Sequence, residues 1–211
     1  MNQQTFDTAA STATADTGIF EGEAARPVAT RLVLSAFFML FLELALIRWL
    51  GSNVVHLSYF SNFVLLGSFL GIGAGFLISR KNWSIWPVTL PLLVILVVGV
   101  IKFPISIERS GSDIIYFTSL AISGPPAWLA LPLVFLLVAV ILAGPAELVG
   151  RCFAQLQPLT SYRYDLIGSL AGILAFTALS LLRAPSLVWG VIAVIPAVML
   201  SLPERRRVSI A

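Results

Sequence analysis

Six long apolar runs separated by short polar breaks make up most of this chain: residues 30–50, 60–79, 83–103, 127–150, 164–182 and 185–202. A helix needs about 20 apolar residues to cross the hydrocarbon core of a bilayer, and it satisfies its own backbone polar groups where water is absent. The pattern therefore predicts an all-α integral membrane protein with about six transmembrane helices between residues 30 and 203. Pro87, Pro91, Pro132, Pro145 and Pro196 fall inside these runs and predict kinked or broken helices. Residues 1–29 are polar, rich in small residues, and lack the basic start and apolar middle of a secretory leader; they read as a disordered cytoplasmic tail. Residues 204–211, with Arg205, Arg206 and Arg207, read as a basic cytoplasmic C-terminus.

Composition agrees with the pattern. Of 211 residues, 58% are hydrophobic and 11% charged, and the mean hydropathy is +0.97, outside the range of soluble domains. A net charge of +3 is too small to suggest nucleic acid as a partner. The single cysteine, Cys152, excludes an intrachain disulfide. One connection is unusual: residues 104–126 begin polar and turn apolar at 114–122, too short to cross. This segment reads as interfacial or re-entrant on the outer face, or as an ordered surface loop.

Basic residues set the orientation. With the N-terminus inside, cytoplasmic segments hold nine (Arg26, Arg31, Arg80, Lys81, Arg151, Arg163, Arg205, Arg206, Arg207) and outer segments four (Arg48, Lys102, Arg109, Arg183). That asymmetry places both termini in the cytoplasm and favours an even number of spans in a bacterial inner membrane.

A pattern recurs about one hundred residues apart. Glu43 and Arg48 precede Gly67-Ser-Phe-Leu-Gly-Ile, and Glu147 and Arg151 precede Gly168-Ser-Leu-Ala-Gly-Ile. An offset of three spans would invert the second unit, giving a 3+3 inverted repeat of the kind transporters use; chance recurrence of a helix-packing motif is the other reading. Gly67, Gly71 and Gly75 line one helical stripe, as do Gly168 and Gly172, and let a neighbouring helix approach backbone to backbone. The run Gly71-Ile-Gly-Ala-Gly75 lacks the final glycine and the following acid of a nucleotide loop, so packing explains it better.

Charges near the apolar runs carry what chemistry there is, because a charge at the bilayer centre costs roughly 3 kcal/mol on insertion scales. Glu43 lies about 10 Å inside the first run at 1.5 Å per residue, so it is paired, protonated or facing a wet cavity. Arg48 points elsewhere round the helix, which leaves Lys102, Arg183 and His56 as alternative partners. Glu147 and Arg151 have the spacing and order of a helical ion pair. Arg163, Tyr164 and Asp165 open the fifth run at the same inner end. With the Glu147–Arg151 pair they could form a polar floor; dipole complementarity of Asp165 and a belt position for Tyr162 and Tyr164 are the plainer readings. One His and one Cys provide neither a metal cluster nor a nucleophile set, so no cofactor or metal is expected.

Phe41-Leu-Glu-Leu-Ala-Leu-Ile-Arg-Trp-Leu-Gly-Ser52, Gly67-Ser-Phe-Leu-Gly-Ile-Gly-Ala-Gly75 and Tyr164-Asp-Leu-Ile-Gly-Ser-Leu-Ala-Gly172 resemble the membrane portion of bacterial spermidine synthase-like fusion proteins. The resemblance covers about residues 30–202. It implies a place for Glu43, Arg48, Tyr164 and Asp165 in a shared membrane fold, and a soluble aminopropyltransferase-type domain as a partner. The chain stops at Ala211, where that domain would begin, so no active site carries over. Three readings stay open: a membrane anchor or substrate-handling module, not catalytic alone; a polyamine or other cation transporter-like half working as a homodimer; and a structural subunit of a larger membrane complex. All three take the lipid bilayer, and other membrane subunits or copies of this chain, as partners.

Overall fold

The computed structural model describes residues 3–53, 61–102, 106–108, 121–123 and 127–201, with side chains over 27–53, 62–102, 129 and 131–201. Each apolar run forms a helix: α1 (Gln3–Asn53), α2 (Ser61–Ile78), α3 (Trp86–Lys102), α4 (Ala127–Phe153), α5 (Pro158–Leu181) and α6 (Ser186–Ser201). The backbone of α1 thus takes in residues that the sequence reads as a tail. Between α3 and α4, β1 (Ser106–Glu108) pairs antiparallel with β2 (Ala121–Ser123), Ile107 opposite Ile122. This ties together the ends of the segment expected to be interfacial; its centre lies outside the described residues, as do 202–211.

Helix ends follow local chemistry. α5 begins at Pro158, six residues before the apolar run, because proline at the first helical position has no N–H to leave orphaned and Gln157 ahead of it is extended (φ −62, ψ 139). α5 ends with Arg183 in the left-handed region at φ 52. The amide N–H of Ala184 bonds the carbonyl of Leu179 at 3.0 Å and that of Arg183 bonds Ser180 at 3.2 Å, a Schellman turn closed by the following Pro185. Of the prolines predicted to kink or break helices, Pro91, Pro132, Pro145 and Pro196 lie within helices that continue through them.

Three helical segments are long and apolar enough to cross a membrane: Pro27–Asn53, Leu131–Phe153 and Pro158–Leu181. Asn62–Ile78, Trp86–Lys102 and Ser186–Ser201 are apolar but shorter, so the sequence expectation of six equivalent spans is met by three on length. Large apolar side chains stand outward along the bundle, among them Phe69 on α2, Ile95 on α3, Leu174 on α5 and Val191 on α6. Apolar surface of that extent marks a membrane or partner-facing exterior, and with the long spans it defines a helical membrane protein.

α1 and α4 form the centre. Leu32, Ala36 and Met39 cluster with Ala146, Val149 and Cys152, so the early part of the α1 span meets the late part of α4 and the two run antiparallel. α2 lies along α4 in the same direction: the ring of Phe63 meets that of Phe135 at 5.1 Å, Gly71 meets the Ala139 backbone, and Gly75 that of Ala143. α5 lies along α1 likewise, Gly168 against Val33, Gly172 against Phe37, and Phe176 edge-on to Phe41 at 5.8 Å. Close backbone approach of this kind holds helices together in lipid, where burial from water offers nothing. α3 packs on α4 and α6 on α1.

Candidate functional site

The charged residues fall into three places. At one end, α4 grips the α2–α3 corner. Glu147 is fully buried, and its Oε2 accepts the backbone N–H of Ile85 at 2.6 Å, next to the positive N-terminus of α3. Arg151 Nη2 stands 2.8 Å from Glu147 Oε1. The same nitrogen donates to the carbonyls of Lys81 (3.1 Å) and Trp83 (2.7 Å). Its two hydrogens are therefore spoken for, and the Glu147 contact is a charge pair rather than an aligned hydrogen bond. α4 runs past Gly150 to Phe153, which is what keeps Arg151 on the helix four residues from Glu147.

At the other end, α1 grips the α5–α6 corner. The guanidinium of Arg48 donates from Nη1 to Ser180 Oγ near the end of α5. It also stacks over the ring of Trp189, 5.3 Å from the centroid, in the first turn of α6. Trp189 is buried between Phe176 and that guanidinium, and its indole Nε1 has no hydrogen-bond partner.

Glu43 stands apart. It is 6% exposed, and its polar neighbour is the hydroxyl of Ser68 on α2, whose one hydrogen goes to the Val64 carbonyl at 2.8 Å. Neither Lys102 nor Arg183 pairs with it, and His56 lies outside the described residues. Among the described residues no ion pair involves Glu43.

The proposed floor is only partly assembled. Arg163, Tyr162 and Tyr164 are exposed, and among the described residues no hydrogen bond or ion pair links Arg163 or Asp165 to the Glu147–Arg151 pair. Because α5 starts at Pro158, Asp165 is two turns inside the helix, too far for the dipole complementarity expected of an N-terminal acid. Asp165 Oδ1 and the fully buried Ser161 Oγ, one turn before it, have no hydrogen-bond partners.

Sequence reasoning missed Ser68, Ser180 and Trp189. Ser68 lies inside the glycine motif itself and could have been marked as the only hydroxyl between Gly67 and Gly75. Nothing in the sequence pairs Ser180 with Arg48.

A cavity of about 640 Å³ opens between α1, α3 and α6. Leu42 and Trp49 of α1, Val98 and Ile101 of α3, and Trp189 and Gly190 of α6 are among its walls, which are almost wholly apolar.

No family model matches this chain, and neither a curated protein nor a solved structure matches it.

Proposed function

We propose that the chain is a six-span membrane module of two inverted three-helix units that handles a small cationic solute at Glu43. Its setting on this reading is a bacterial inner membrane, both termini cytoplasmic. The observation that carries it is Glu43: a carboxylate within the apolar Pro27–Asn53 segment, buried, with a hydroxyl beside it and no basic side chain as described partner. Such a group completes its charge balance with a proton or an ammonium ion.

The inverted arrangement is supported by which helices pack. Exchanging α1, α2 and α3 for α4, α5 and α6 in order leaves the packed pairs unchanged: α1 with α5 becomes α4 with α2, and α1 with α6 becomes α4 with α3. Inverted repeats set substrate sites at the interface of their units, near the bilayer midplane, and Glu43 with Ser68 lies where the units meet. The shorter helices, such as the 17-residue α3, reach about 25 Å at 1.5 Å per residue against a core of about 30 Å. Local thinning of the bilayer accommodates that mismatch. The resemblance in residues 41–52, 67–75 and 164–172 would make the solute a polyamine and a soluble transferase the downstream partner; as a transporter-like half, the chain would work as a homodimer. The resemblance is the sole basis for that choice of amine.

Purified chain in sealed liposomes is expected to take up labelled spermidine or to carry a proton flux, and Glu43→Gln to abolish it while eluting as the native species. Wild-type liposomes as tight as empty ones would end the reading. The anchoring alternative has one observation of its own: Glu147 and Arg151 are both committed to holding a helix corner.

A further inference from the structure

The groove between α1, α3 and α6 has a chemically distinct end. α3 runs antiparallel to α4, since Ile85 meets Glu147 and Thr89 meets Gly144. It is therefore parallel to α1, and the C-termini of both lie together. Ile101 and Trp49 line the groove there, beside Ser186 at the start of α6.

Three cations gather round this end. Lys102 is the last residue of α3, Arg183 is fixed in the left-handed turn before α6, and Arg48 lies over Trp189. The helical segments that bound this end, residues 44–53, 86–102 and 176–201, contain no Asp or Glu; the first acid after Lys102 is Glu108 on β1. Lys102 and Arg183 are exposed, and among the described residues neither has an acidic partner. The N-terminus of α6 adds its positive dipole end. Trp189 is 9% exposed, lines the groove, and carries a buried indole N–H without an acceptor. Below this end the walls are aliphatic along α3 and α6, and Gly190 leaves open space, with nothing within 4 Å of where a side chain would begin.

We infer that this groove is a binding site for one anionic phospholipid, its acyl chain lying between α3 and α6 and its phosphate held among Arg48, Lys102, Arg183 and the start of α6. The cavity, about 640 Å³, is in the range of about 300–1,000 Å³ that encloses small ligands. Charge complementarity selects the headgroup, and the apolar walls, identical in polarity to bulk lipid, add retention through close packing rather than through expulsion of water. The inference goes beyond cation handling at Glu43 and rests only on the helices being in a membrane.

The test is native mass spectrometry of the full chain in neutral detergent, offered phosphatidylglycerol and phosphatidylcholine with the same acyl chains. One phosphatidylglycerol is expected to stay bound, preferred roughly tenfold or more, since each basic side chain near a headgroup adds a severalfold gain. Lys102→Gln with Arg183→Gln should bring the preference to within about twofold. Gly190→Phe, which fills open space without a clash, should remove the bound lipid while leaving helicity and elution unchanged. A second reading comes from tryptophan quenching by phosphatidylglycerol brominated on its acyl chain, strong in the native chain and weak in Gly190→Phe. Equal retention of the two lipids, retention that survives Gly190→Phe, or a lipid-free dimer with the groove covered by a second copy would each overturn the site. Flux through Glu43→Gln does not bear on these readouts, so the two proposals fail separately.

Discussion

The two ends of the bundle each anchor an arginine of a central helix on a helix corner, one with a carboxylate beside it and one without. At the α2–α3 corner, Arg151 of α4 reaches backbone carbonyls and is neutralised by Glu147, which in turn caps α3. At the α5–α6 corner, Arg48 of α1 reaches a hydroxyl and an aromatic face, with no carboxylate beside it. In the first corner Glu147 and Arg151 answer each other within the chain. The second keeps its positive charge for something outside. The difference separates charges that serve the fold from charges free to recruit a ligand, although both arginines come near the end of a central helix.

The largest effect should come from breaking the seam behind each corner. Gly71→Leu drives a side chain into the Ala139 backbone of α4, and Gly172→Leu meets the Phe37 carbonyl of α1 at 2.6 Å from its first atom. Backbone cannot yield as a side chain does, so each should cost on the order of 3–5 kcal/mol and scatter the protein on size exclusion. Gly73→Leu, on the open face of the same helix, is the control and should elute as wild type. Equal damage from Gly71→Leu and Gly73→Leu would mean that the glycines matter for helix flexibility and not for close approach.

The corners themselves should then part company. Glu147→Ala leaves the Ile85 N–H and a partly covered arginine unanswered in the closed corner. Removing one partner of a fully buried pair costs about 3–5 kcal/mol; Arg151 is one-third exposed, so roughly 2–3 kcal/mol is expected. Arg48→Gln removes an exposed hydrogen bond and a cation–π contact, worth about 1 kcal/mol. Unfolding monitored by circular dichroism in detergent should rank Glu147→Ala well below Arg48→Gln. The reverse order would erase the distinction between the corners.

How much of this could be read beforehand follows from the range of each interaction. The apolar runs were legible because a bilayer imposes a length on every crossing helix. The ion pair of Glu147 and Arg151 was legible because its spacing is local. The start of α5 was not: Pro158 to Arg163 is polar, and hydrophobicity gives no warning that Pro158 nucleates a helix, so Asp165 was placed at an end when it lies two turns in. Partners 132 residues apart, as Arg48 and Ser180 are, leave no trace in one sequence. Glu43 could be marked as costly from its depth alone, but only the fold names Ser68 as its neighbour.

The smallest effect sharpens the comparison most finely. Trp189→Phe keeps an aromatic face beneath Arg48 and against Phe176, whose ring centroid is 5.4 Å away, and deletes the indole N–H that no acceptor meets. A buried donor without a partner is a liability of about 1–3 kcal/mol, so its loss offsets the smaller ring's lost contacts, and the net change should stay within about 1 kcal/mol. The sign depends on whether lipid is present. In lipid-free detergent, Trp189→Phe should melt within a few degrees of wild type. With phosphatidylglycerol added, wild type should gain more thermal stability than the variant, because a phenyl ring has no N–H to add to the donors the cations supply. An identical gain for both would place the headgroup on the cations alone and leave the Trp189 N–H as a cost the open corner simply carries.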